Sequence, residues 1–140
     1  MELLLALVLA PAPADTCRFD LPGTIYRNAD STVMAQPLLA RAALDSLGVY
    51  SGWLFLAPGF LVTEHEHDAE ELLWVVCGSA RLRLGQEEVA LGPGASVRIP
   101  RGAPHAALVG AEGLVAVQVY RPGPPGFRYY DWTTTTDPPR

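Results

Sequence analysis

The stretch Gly59–Gly78, GFLVTEHEHDAEELLWVVCG, constrains this chain more than any other. It carries two histidines one residue apart, His65 and His67, with Glu71 four residues on. In extended chain, side chains two apart leave the same face of a sheet, so both imidazoles point one way. Glu71 has the same parity and joins them if the bend at Asp68–Ala69 keeps the register. The chain holds three histidines, and His105 lies in a second patterned stretch, GASVRIPRGAPHAALV, Gly94–Val109. Three imidazoles and a carboxylate meeting in one small domain are the ligand set of a mononuclear metal site. A lone strand histidine is usually a satisfied polar residue. An in-phase His-x-His and Glu, with the remaining histidine in a second motif, is hard to explain as packing, because burying such groups without a partner costs several kcal/mol.

The punctuation around these motifs is that of an all-β fold. Short apolar or alternating runs occupy Ser51–Ala57, Leu61–His67, Glu71–Val76, Ala80–Leu84, Glu87–Leu91, Ala95–Ile99, Pro104–Val109 and Leu114–Tyr120. Turn signals separate them, among them Pro58-Gly59, Gly78-Ser79, Gly92-Pro93-Gly94, Pro100-Arg101-Gly102 and Gly110–Gly113. Short strands at such spacing predict a sandwich or barrel. Leu38–Leu47 suits a helix by propensity and a first strand by position. Parity places Thr63, Leu73, Val75, Ala107 and Val109 on the cavity side with the ligands. It sends Glu64, Glu66, Glu70, Arg81 and Arg83 to the outer face. Tyr50, Trp53, Phe55, Arg98 and Tyr120 are candidates to surround the site, each also explicable as core or surface.

At this point the chain resembles a known family. Gly59, His65, His67, Glu71 and Gly78 match the first cupin motif at every fixed position. Gly94, Pro100, Gly102 and His105 match the second, with Val109 where the family usually has an asparagine that is not a ligand. The resemblance spans Gly59–Val109 and implies a double-stranded β-helix, the jelly-roll cupin barrel. It further implies one divalent transition metal held by His65, His67, Glu71 and His105. It also favours a homodimer, for which an outward Trp74 and an aromatic tail at Tyr129 and Trp132 are candidate contacts.

Composition narrows the partners. The net charge is −5 and the sequence pI near 5.0, so there is no basic field for a nucleic-acid backbone. All ten cationic side chains are arginine, which removes Schiff-base and lysine-base chemistry. Residues 1–14, MELLLALVLAPAPA, read as an export signal with cleavage before Asp15, although the segment before the apolar run lacks Lys or Arg and carries Glu2. Export implies a secreted or periplasmic protein. The alternative is an apolar arm packed on the barrel of a cytoplasmic one. The apolar run is too short to span a bilayer. Residues 15–37 read as an irregular arm with a short strand near Thr24–Arg27, residues 38–121 as the barrel, and residues 122–140 as an aromatic, Pro-rich tail frayed from Thr133. The two cysteines, Cys17 and Cys77, are buried thiols or, in an exported protein, a bridge.

Neutral imidazoles with one carboxylate suit Fe, Mn, Ni, Cu or Zn, and the choice among them is open. Calcium and magnesium prefer all-oxygen shells. Four protein ligands on an octahedral ion leave positions for water, O₂ or a chelating substrate. The first expectation is a metal-dependent, dioxygenase-like oxidoreductase acting on a small organic molecule. Alternatives are a metal-dependent lyase or isomerase, and a non-catalytic cupin that binds a small molecule or metal. Besides ligation, Glu71 is the available catalytic base.

Overall fold

The computed structural model describes residues 23–137 and 139 of the chain. The two longest strands, β5 (Glu70–Leu84) and β8 (His105–Arg121), organise it. They run antiparallel along nearly their whole length, from Glu70 opposite Arg121 to Leu84 opposite His105. Each half of this ribbon takes different outer neighbours. The first half of β5 pairs with β7 (Ser96–Ile99) and the second with β6 (Glu87–Leu91). The first half of β8 pairs with β4 (Leu61–His65) and the second with β3 (Tyr50–Leu56). Beyond β3 follow β2 (Val33–Pro37), β1 (Ile25–Arg27) and β9 (Thr133–Thr135). The ribbon therefore belongs to two sheets, β4-β8-β5-β6 and β7-β5-β8-β3-β2-β1-β9, as the expected all-β jelly roll requires.

Two expected turns lie inside strands. Gly78-Ser79 and Gly110–Gly113 do not reverse the chain but sit within β5 and β8. Register shifts fall between Val75 and Cys77 and between Gly78 and Ala80, so extra residues bend the ribbon without ending it. Gly78 and Gly113 both have φ of 79°, and a Cβ on Gly78 would lie 2.0 Å from the Gly113 carbonyl oxygen. Glycine is needed there because two backbones cross in contact. Pairing on both sides of the glycines outweighs their local turn preference.

Between the sheets lies an apolar core that includes Leu54, Leu73, Val75, Leu82, Ile99 and Leu114. Val75 and Val109, expected on the cavity wall, are packed in this core. The ambiguous Leu38–Leu47 segment contains a helix, α1 (Arg41–Leu47), which buries Leu44 and stops at Gly48 in the left-handed conformation. The tail folds back on its own barrel. A short α2 (Pro124–Phe127) and a 3-10 turn (Arg128–Asp131) bring Tyr129 against Tyr50 and Tyr120, where it is 1% exposed. Thr133–Thr135, expected to fray, forms β9 on β1 because the tail's aromatic contacts deliver it there.

The export segment, Met1–Ala14, and Cys17 lie outside the described residues. Cys77 is disulfide-bonded. No helix among the described residues is long and apolar enough to cross a membrane.

Candidate metal centre

His65 ends β4 and His105 begins β8, directly opposite each other in the ladder. His67 lies two residues further on, in the link to β5. The Gly102 N–H donates to the His67 carbonyl at 2.9 Å and ties this link to the Pro100–Gly102 turn. Glu71, the second residue of β5, stands between Ile99 of β7 and Tyr120 of β8. The motifs thus meet where β4, β5 and β8 converge. One potential ligand atom from each of His65, His67 and His105 lies within 4.8 Å of the others.

The backbone fixes how these rings face. His65 Nδ1 lies 2.9 Å from the Thr63 carbonyl, His67 Nδ1 3.0 Å from that of Ala69, and His105 Nδ1 2.8 Å from that of Ala103. A carbonyl can only accept, so each ring carries a proton on Nδ1. In the neutral rings this leaves Nε2 as the lone-pair atom, the arrangement that suits metal ligation. His67 Nε2 is also 2.8 Å from Glu71 Oε2, and His105 Nε2 is 3.6 Å from that oxygen. A neutral ring with Nδ1–H would bring two lone pairs together at 2.8 Å. Such a contact requires a shared cation, either a proton or an ion that both groups ligate. The donor set therefore fits a divalent metal.

Glu71 is 4% exposed and held from behind. Gln118 Nε2 donates to Glu71 Oε1 at 2.6 Å and to the Tyr120 hydroxyl at 2.9 Å. The Tyr129 hydroxyl donates to Gln118 Oε1 at 3.0 Å, which fixes the amide's orientation. Burial alone pushes the Glu71 carboxyl up and is the largest influence. Hydrogen bonds with His105, His67 and Gln118 together outweigh it and hold the group at about 2. Burial lowers His65, whereas the bond to Glu71 raises His105 against the effect of its own burial. Burial also raises Tyr120 and Tyr129, so both phenols remain protonated at neutral pH.

The centre opens on a cavity of about 270 Å³ inside the barrel, lined by His65, Glu71, His105 and mainly apolar side chains. Thr63, Leu73 and Ala107 line it as parity predicts. The outer-face assignments also agree with the structure: Glu64 pairs with Arg83, Glu70 with Arg98, Arg81 with Glu88, and Glu66 is exposed. Of the candidates around the site, Tyr120 reaches the cavity, Tyr50 is core, and Trp53 and Phe55 pack in a separate cluster. Gln118, Arg128 and Tyr129 also line the cavity and were missed. Gln118 was legible as a polar residue in phase with Tyr120 between Val117 and Val119. Arg128 and Tyr129 reach the site only because the tail folds back.

A small antiparallel barrel with a three-histidine cluster at one end of its interior is the architecture of a metal-binding β-barrel protein. The family model for the cupin domain matches residues 52–120, and the chain carries a cupin domain over those residues. No curated protein matches it. Among solved structures, an RmlC-like cupin from Shewanella frigidimarina aligns at 16% identity and a TM-score of 0.61, covering 73% of this chain and 86% of that one. Bacillus subtilis oxalate decarboxylase, a protein with Mn(II) centres, aligns at 25% identity and a TM-score of 0.62, over 76% of this chain and 29% of that one. The DMSP lyase DddQ from Ruegeria pomeroyi aligns at 24% identity and a TM-score of 0.58, over 67% of this chain and 50% of that one.

Proposed function

We propose that this cupin is a metal-dependent enzyme holding one divalent transition ion through Nε2 of His65, His67 and His105 and Oε2 of Glu71. Its substrate is a small organic molecule bound in the barrel. The observation that carries this reading is the 2.8 Å approach of His67 Nε2 to Glu71 Oε2, beside two further imidazoles with their Nδ1 protons engaged. When bound, such an ion supplies Lewis acidity and, if redox-active, chemistry with O₂. The chain does the rest. Thr63, Ala69 and Ala103 carbonyls orient the rings, Gln118 orients Glu71, and the apolar walls keep bulk water from the substrate.

Oxidation by O₂ is the first reading, because an apolar interior admits O₂ and an apolar substrate together. A lyase or isomerase is the second, favoured by the protonated Tyr120 hydroxyl on the cavity wall, which accepts from Gln118 and keeps its own proton to donate to a developing oxyanion. Elemental analysis of natively purified protein, followed by a turnover screen in an oxygen electrode, separates them. Fe or Cu with O₂ consumption supports oxidation. Turnover on a Zn-loaded protein without O₂ uptake supports the second reading, and protein that loads no metal under any condition refutes both.

The protein is further proposed to be exported and to form a homodimer. Native mature protein should then begin at Asp15 by mass spectrometry, and an intact Met1 in cytoplasmic protein would count against export. The candidate contact is the outer face of β5, where Leu72 is 45% and Trp74 54% exposed. Sedimentation should show a dimer that Trp74→Glu dissociates. Tyr129, buried in its own chain, takes no part in that contact.

A further inference from the structure

Arg128 lies in the 3-10 turn, outside both metal motifs, and its side chain lines the cavity while the residue is exposed overall, which places it at the mouth. It is the one arginine on that wall among the described residues. Barrel arginines 81, 83, 98, 101 and 121 each have a carboxylate partner. Among the described residues Arg128 has none. Its guanidinium carbon sits 5.3 Å from the centre of the Tyr129 ring instead, which holds the side chain beside the Tyr129–Gln118–Glu71 relay. The remaining wall is mainly apolar, including Leu54, Leu56, Phe60 and Leu114. The cavity thus carries a guanidinium and phenol hydroxyls together with the proposed metal ligands, and most of the rest of its lining is apolar.

We propose that Arg128 is a specificity-determining residue that anchors the carboxylate of the substrate, so that the enzyme acts on a small apolar monocarboxylic acid. This rests on the metal-dependent reading above and deepens it. A planar guanidinium matches a carboxylate with two parallel N–H···O bonds. A cation without an internal carboxylate partner is free to make them, and Tyr129 keeps it in place before substrate arrives. At about 270 Å³ the cavity is smaller than the usual drug-sized site, which limits the acid to a single ring or a short chain.

The test uses benzoate and benzamide, which share a shape and differ in charge, titrated calorimetrically into full-length Zn-loaded and chelator-treated protein. Zn supports no redox turnover, so binding is read alone. Wild type should bind benzoate at least about tenfold more tightly than benzamide. Arg128→Gln should abolish that preference while leaving benzamide affinity and Zn per chain unchanged, and Arg128→Lys should keep part of it. Equal binding of the two probes to wild type overturns the proposal, as does the absence of benzoate binding or a full preference in Arg128→Gln. Should Arg128→Gln lose benzamide as well, Arg128→Lys decides. A retained preference upholds the anchor and a lost one overturns it. The two readings fail separately. Normal Zn loading with no effect of Arg128→Gln removes the anchor alone, and an Arg128-dependent preference in protein that loads no Zn removes the metal reading alone.

Discussion

At His65, His67 and His105 the selecting groups are three backbone carbonyls, which settle the tautomer before any ion arrives. Replacing His105 with Ala removes a lone pair that only the fold brings to the others, and metal affinity should fall by at least about tenfold. Glu66→Ala, between His65 and His67 in the chain but exposed, should leave metal content unchanged. Equal losses in the two variants, measured by elemental analysis, would overturn the ligand assignment. Glu71 sets an acid limit on the metal-free protein. Its folded value of about 2 lies below the ordinary 4.5, so its contribution to stability is present above about 4.5 and lost as pH falls toward 2. Thermal melts of metal-free protein should show this acid limb, flattened in Glu71→Gln. His65 and His105 are shifted in opposite directions, so the acid limb is where Glu71 is read cleanly.

Among the elements, the β5–β8 ribbon fixes the geometry, and its glycine crossing is the sensitive point. Gly78→Ala combines a left-handed φ with a clash against the Gly113 carbonyl, and should cost more than about 3 kcal/mol or prevent folding. Gly85→Ala is the control. Its φ is 58°, but nothing lies within 4 Å of the new methyl, so the cost should stay near 1 kcal/mol in denaturant unfolding. The residues of the site were legible because His-x-His and Glu71 obey a parity that the backbone enforces locally and His105 stands in a second patterned stretch. The continuity of β5 and β8 was not. Gly78 and Gly110–Gly113 look like turns in isolation, and only pairing partners distant in sequence keep them extended. Arg128 was illegible for the same reason: nothing near it in the chain announces that Tyr129 will be buried beneath Tyr50 and Tyr120.

For the molecule as a whole, the proposed ion, shared by β4, β5 and β8, would join the two sheets at one end and bind only the folded state. A hundredfold excess over its Kd should add about 2.7 kcal/mol, or a melting temperature higher by about 10 °C. A chelator should remove that increment from wild type and a smaller one from His105→Ala. An unchanged melting temperature in wild type would mean that metal does not report on folding. The tail has a consequence of another kind. Three of the four proposed ligands sit on β4, β5 and β8, whereas the segment carrying Arg128 and Tyr129 packs on the barrel through Tyr50 and Tyr120 and reaches Glu71 through Gln118. Exchanging residues of that segment other than Tyr129 would redraw what the pocket accepts while the four proposed ligands stayed as they are. The proposed ligands and the proposed anchor are thus written in separate stretches of the chain, joined where the Tyr129 hydroxyl holds Gln118 behind Glu71.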